Sequence, residues 1–275
     1  MPLATIYPMA TNALTILAGD AEDRSTGSIA GMRGTWLTEP RPGWFKPHGC
    51  AQSNYGLRNW RFSADLLSDA PSFEVQLRKI MADSASFSLD ESFLVGDGVG
   101  KPLGILSSPS AITVTKESGQ AADTIVYRNL TRMWARLLPS STGTAVWLAH
   151  PSVVPSLFQM SFEGASSSVP AYMPAGSGVT GPAPQSLFGR PLIFSEKLPQ
   201  LGDHGDLTLV DLNKYAIGVR QDLGISASTD AAFMSDEITF RLVMRVAGKP
   251  LMNNAVKPRS GTDSLSWAVT LEDRT

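Results

Sequence analysis

Residues 90–106 read DESFLVGDGVGKPLGIL. The run closes a long amphipathic segment and stops it abruptly. Gly96, Gly98 and Gly100 fall within five residues, and Lys101, Pro102 and Gly104 follow. Glycines this dense allow positive φ and close backbone approach, and Pro102 forbids continuation of a helix. The stretch therefore predicts a helix that runs into a tight, specifically shaped loop. Gly96, Asp97, Gly98, Gly100, Pro102 and Gly104 are its structural residues.

A glycine loop invites a phosphate-binding reading, and the spacing refuses it. A P-loop needs Gly-x-x-x-x-Gly-Lys-Ser/Thr. Measured back from Gly100-Lys101, the first glycine position holds Val95, and the Ser/Thr position holds Pro102. The dinucleotide spacing Gly-x-Gly-x-x-Gly is also missing, because the third glycine comes one residue early. Both motifs follow a strand and open a helix, whereas this loop follows a helix. A structural helix stop is the simpler reading.

Upstream, residues 69–95 carry the clearest helical pattern. Asp69 suits an N-cap, and Pro71 is tolerated in the first turn. Positions 73, 77, 80, 84, 87, 91 and 94 read Phe, Leu, Ile, Ser, Phe, Glu and Leu. Their 4-3-4-3 spacing predicts one stripe facing a core. At ~1.5 Å per residue the helix spans roughly 40 Å, long for a globular domain.

Residues 1–30 lack a sustained period and read as an extended arm without a core of its own. Residues 31–62 mix aromatic, proline and basic residues without apolar runs, as a long hairpin whose apolar tip needs a partner to cover it. Downstream, residues 111–115 suggest a strand. A helix after Asp123 places Val126, Leu130, Met133, Trp134 and Leu137 on one face, and Pro139 ends it. Residues 144–149 form a buried-strand candidate, and a short helix runs from Pro151 to Met160. Residues 161–186 are a Ser-, Gly- and Pro-rich loop. Strands follow near 191–195, 207–211 and 215–219. From Ile238 to Val246 the even positions are all apolar, which is the period of a half-buried strand. The tail LSWAVTLEDR holds one more short apolar alternation.

Composition narrows the function. Of 275 residues 43% are hydrophobic, enough for a core, and only 17% are charged, below the ~25% usual for soluble domains. A sparse charge set suits a surface covered by neighbours. A net charge of −2 offers no basic excess for tight nucleic-acid binding. The single cysteine, Cys50, excludes an intrachain disulfide and a cysteine zinc site. No apolar run approaches the ~20 residues of a membrane span, and residues 1–20 have no basic n-region of a signal peptide. The chain reads as cytoplasmic, or as viral and assembled in a host cytoplasm.

No catalytic, cofactor or metal site emerges. His48, His150 and His204 are dispersed and lack His-x-x-x-His spacing, and no Gly-x-Ser-x-Gly elbow occurs. His150-Pro151 follows a strand and reads as a hydrogen-bonded histidine at a turn. Asp90-Glu91 and Asp236-Glu237 are sequence neighbours that do not share a face, so neither is an acid/base couple.

Four separated blocks carry a family resemblance. The loop, read as GDG-x-G-x-P-x-G-I-L, resembles the spine-helix end of tailed-bacteriophage major capsid proteins of the Hong Kong type. FSADLLSDAPSFEVQLRK (62–79) is similar to the family's approach to that helix. SLFGRPLIFSEKLP (186–199) resembles its Gly-x-Pro strand segment, and residues 205–250 resemble its closing region. The blocks keep the family's order and cover most of residues 62–250.

The resemblance implies an α+β capsid fold with an arm at 1–30 and an extended E-loop hairpin at 31–65. It implies a peripheral domain at 66–120 and 221–275 that holds the spine helix, and an α/β axial domain at 121–220. It also implies a self-assembling major capsid protein, with pentamers and hexamers tiling an icosahedral virion head around double-stranded DNA. Portal, scaffolding and possibly cement proteins are the expected partners. Trp36, Glu39, Trp44, Phe45, Lys46 and Trp60 become inter-subunit contact candidates. The glycine loop begins at residue 96, so no long scaffolding domain precedes it in this chain. The expectation is a processed chain or a separate scaffold protein. Some relatives crosslink through a lysine–asparagine isopeptide bond aided by a glutamate. Aligned at Phe233, those two partner positions hold Asp236 and Val243, so Lys46 has neither acceptor nor acid, and the shell is expected to be non-covalent. An encapsulin-like compartment shell and a soluble α/β hydrolase using His150 are the alternatives.

Overall fold

The structure is a computed structural model that describes residues 4–8, 13–18, 33–38, 61–63, 71–99, 101–161, 171–172, 185–230, 234 and 237–274. The elements of the first half are β1 (Thr5–Pro8), β2 (Ala13–Ala18), β3 (Arg33–Thr38), β4 (Arg61–Ser63), helix α1 (Pro71–Val95), β5 (Ile112–Val114) and helix α2 (Tyr127–Ala135). The second half holds β6 (Val146–Ala149), α3 (Val154–Gln159), β7 (Ser186–Leu187), β8 (Arg190–Phe194), β9 (Leu207–Val210), β10 (Tyr215–Ser228), β11 (Glu237–Pro250) and β12 (Ala268–Leu271).

The centre is built from short apolar segments. Strands β6, β9 and β12 are buried at every residue, as strands covered on both faces must be. They lie inside a mixed six-stranded sheet of order β5-β12-β9-β6-β8-β7. Alternate side chains enter separate cores, because successive residues of a strand point to opposite faces. Val146 and Leu148 join one cluster with Phe93, Ile105, Tyr215, Val246 and Trp267. Trp147 and Ala149 join the other with Leu130, Met133, Leu157 and Leu209, under α2 and α3.

The second sheet has order β1-β10-β11-β4. Its spine is the β10–β11 ribbon, two strands of 14 residues each. The sequence suggests a strand only to residue 219. The ribbon continues to Ser228, across register shifts between Val219 and Gln221 and between Gln221 and Gly224. Bulges of this kind bend a strand and obscure its alternation. Phe240 and Val246 face inward, as the even-position pattern predicts.

Residues 1–30, read as an extended arm, contribute β1, which pairs in parallel with β10 at Thr5↔Ala216, and β2, which pairs with β3 over six positions. β4 at 61–63 belongs to the ribbon sheet, β5 and β12 complete the six-stranded sheet, and β10 begins in its core. One expectation needs correction, the face of α1. The buried residues are Leu77, Met81, Ala85, Ser88, Leu89, Phe93 and Leu94, whereas Ile80 is 56% and Phe87 40% exposed. The line 81-85-88 is Met, Ala and Ser. Counting bulky apolar residues selects the wrong stripe, because the buried line includes the small residues Ala85 and Ser88.

Candidate functional site

The glycine loop is a joint between α1 and the ribbon. The last carbonyls of a helix have no partner within it. Here the returning chain supplies the donors. Ile105 N–H donates to Phe93 O (2.9 Å), Leu106 N–H to Leu94 O (3.0 Å) and Gly104 N–H to Gly96 O (2.8 Å). Leu103 fastens the turn to the ribbon. Its N–H donates to Gly248 O at 3.1 Å, and its carbonyl accepts from the Tyr215 hydroxyl at 2.7 Å. Burial pushes the Tyr215 pKa far up, so the hydroxyl remains a donor.

Close approach explains the glycines. A β-carbon on Gly96 would collide with the carbonyl oxygens of Pro102 and Ser92, and one on Gly104 would lie 2.5 Å from Gly96 N. Gly98 has φ +80°, where a β-branched residue is an outlier. Gly100 lies outside the described residues. Gly248, on the ribbon side, has no room either: its β-carbon would be 2.5 Å from Tyr215 Oη and 2.9 Å from the Phe93 ring.

Described polar groups of the loop engage one another. Asp97 Oδ1 accepts from Val99 N–H at 3.0 Å, and Lys101 Nζ lies 3.7 Å from Asp97 Oδ2. The Val99 bond first, and then the Lys101 charge, hold the Asp97 carboxyl below its ordinary pKa. An anion site needs converging free N–H groups and a free cation. Here Val99 and Leu103 N–H and the Lys101 ammonium are already engaged.

The two described histidines, His150 and His204, have hydrogen-bond partners. His150 Nδ1 accepts from Ser152 N–H at 3.1 Å and lies 2.8 Å from Ser152 Oγ, which itself accepts from Leu201 N–H at 2.9 Å. His204 Nε2 sits within hydrogen-bond distance of Thr113 and Thr270. His48 and Asp236 are outside the described residues, and Asp90 bonds Lys197 at 3.1 Å. No metal-binding group of three acidic, His or Cys residues occurs among the described residues, and none of their helices is long and apolar enough to cross a membrane.

One polar feature escapes sequence reading. Arg274, 1% exposed, is ion-paired through Nη2 with Asp206, 0% exposed. Its other donors reach Thr124 O and Glu272 O at 2.9 Å. Asp206 also accepts from Gly202 and Leu207 N–H. Burial nevertheless raises the Asp206 pKa, against the pull of Arg274 and the two amides. The clasp ties the segment following β12 to the turn preceding β9. Its partners are 68 residues apart, so no local pattern announces it.

The expected contact residues are mostly beyond description. Trp36 lies in β3, with its backbone opposite Thr15. Glu39, Trp44, Phe45, Lys46 and Trp60 fall outside the described residues. Val243 is half-buried in β11, opposite Gly224. The described surface adds apolar residues that no stripe predicted as exposed: Val75, Ile80, Phe87 and Val95 along α1, and Val99 at the loop tip. The Lys197 ammonium shields part of Phe87, 4.7 Å above its ring.

A helix ending in this joint, a long twisted ribbon and a mixed six-stranded sheet define the Hong Kong-type capsid fold. Solved structures with that architecture match nearly the whole chain. The capsid of an empty GTA particle computed with C5 symmetry matches 100% of this chain and 89% of its own, at 15% identity and TM-score 0.71. Mycobacterium phage Bobi matches 98% and 88%, at 16% identity and TM-score 0.57. The holo-SrpI encapsulin complex from Synechococcus elongatus PCC 7942 matches 99% and 85%, at 12% identity and TM-score 0.58. No curated protein sequence matches significantly. The sequence profile of the Phage capsid family matches residues 59–260. The chain belongs to the phage capsid family, whose members are structural shell proteins.

Proposed function

We propose that this chain is the major capsid protein of a tailed phage, assembling as pentamers and hexamers into an icosahedral head around double-stranded DNA. The supporting observation is surface the single subunit leaves unfinished. Hairpin β2–β3 forms a two-stranded sheet of its own, and such hairpins are marginal in water without further cover. Along α1, Ile80 and Phe87 add apolar surface that the subunit's own core does not take up. Neighbouring subunits supply that cover, with residues 31–65 as the reaching segment and Trp36, Trp44, Phe45 and Trp60 as its anchors.

The near-neutral charge suits a container that holds DNA by weak, non-specific contact. Assembly takes place in the host cytoplasm, with portal and scaffolding proteins as partners. Contacts are non-covalent, since Asp236 cannot release ammonia and Val243 cannot take up a proton.

Expression of the chain followed by electron microscopy and cargo analysis tests this. Closed shells associated with DNA-filled heads support the phage reading; shells that retain a protein cargo and no nucleic acid replace it with a compartment. Boiled particles should run as one band near the 29.4 kDa chain mass, and a covalent ladder would refute the non-covalent part.

A further inference from the structure

Asp97-Gly98 is the one Asp-Gly step in the sequence, and no Asn-Gly step occurs. Such a step can rearrange without an enzyme. The carboxyl lies one residue from an amide nitrogen that no side chain shields, and an intramolecular attack needs only the right approach. Here the reacting groups meet water: the Asp97 side chain is 61% exposed, and Gly98 and Val99 are exposed beside it. The fold nevertheless ties the carboxylate down. Val99 N–H holds Oδ1 at 3.0 Å, and Lys101 Nζ lies 3.7 Å from Oδ2. The Asp97 backbone also bridges Leu103, the residue that fastens the turn to the ribbon.

We propose that Asp97-Gly98 is a site of spontaneous isoaspartate formation, guarded while this corner is closed and reactive when it opens. The Gly98 nitrogen attacks Asp97 Cγ, and the new C–N bond closes a five-membered succinimide. The carboxyl hydroxyl leaves with the amide proton as water, so the reacting form is the neutral acid. Water then opens the ring. Cleavage at Cγ restores aspartate. Cleavage at the Asp97 main-chain carbonyl leaves the chain running through Cγ, one backbone atom longer and unchanged in mass. The closed corner opposes both stages. The Val99 bond and the Lys101 charge keep the carboxyl ionised and its Oδ1 fixed on the residue beyond Gly98. After rearrangement the added atom has no place, because at Gly96 and Gly104 the neighbouring backbone already excludes a β-carbon.

The test warms the full chain at mildly acidic pH, either folded in buffer or unfolded in guanidinium chloride, and then digests it. Chromatography with fragmentation mass spectrometry separates the two isomers of equal mass. The unfolded chain should accumulate isoaspartate at position 97. The folded chain should do so about tenfold more slowly or less, since reaction waits on local opening. Rearranged chain returned to buffer should not recover the melting temperature of unrearranged chain taken through the same dilution. Should the unrearranged chain fail to refold, the rate comparison decides alone. Equal rates in folded and unfolded chain, no isoaspartate in the unfolded chain, or full recovery of the rearranged chain each overturn the proposal. None of these outcomes touches the shell reading, on which the proposal does not depend.

Discussion

Strands β6, β9 and β12 are buried at all of their residues, whereas β10 goes from four buried residues at Tyr215–Gly218 to full exposure at Ser226–Ser228. The six-stranded sheet is thus completed inside one subunit, with a core on each face. The far end of the ribbon is not. Among the described residues there, Leu77, Met81 and Phe240 form the buried cluster, with Ile225 and Ile238 beside them. One part of the molecule has a core on each face, and the other has only a small one among the described residues.

The strongest way to break the completed part is through its clasp. Arg274→Met should cost the dissociated subunit about 3–5 kcal/mol, because it leaves Asp206 buried and uncompensated. Adding Asp206→Leu should recover most of that loss in a denaturant titration. A single variant as stable as the parent would show that the clasp is not what seals the sheet.

Next in size is a matched pair of truncations. Leu209→Ala, inside the six-stranded sheet, should cost about 3–5 kcal/mol, and Met81→Ala, in the small distal core, about 2 kcal/mol. Calorimetry of assembled particles should then show Met81→Ala as the more harmful to the shell. Equal effects in both settings would erase the distinction between the two parts. Gly104→Ala should cost about 1–3 kcal/mol by overpacking the joint against Gly96 and Leu94, measurable in the same titration.

The smallest effect concerns the loop charge. Lys101→Ala should leave the melting temperature and any nucleotide response unchanged; loss of a nucleotide-dependent property would reopen the phosphate reading. The Asp97 pKa is lowered in the fold, so its contribution is present above the ordinary carboxylate range. It fades as pH falls through that lowered value. Asp97→Asn should flatten this slight acid dependence of melting.

How much of this was legible in the sequence depends on the distance over which each feature is encoded. Helix α1, its stop at Gly96 and the short apolar strands could be read directly, because glycine, proline and apolar runs act on their neighbours. The buried face of α1 was misread because Ala85 and Ser88 contribute by being small. Strand β1 could not be read, because four residues gain their conformation from Ala216–Val219, more than two hundred positions away. Gly248 did carry a signal: a glycine inside a strand marks close backbone approach, here by Tyr215 and Phe93. The strained turn at Phe188 could not be read either, since LFGR resembles an ordinary hairpin until its φ is known.

The joint at Leu103 also has a mechanical meaning. Helix α1 is 25 residues long, a lever of about 37 Å pivoting on a corner only a few residues wide. A ten-degree error at that corner would displace the far end of the helix by roughly 6 Å, more than one full turn of its rise. The carbonyls, amides and phenol gathered around Leu103 act as a corner bracket. They set the angle at which one arm of the molecule leaves the other, and so the tolerance with which any second body can meet its tip.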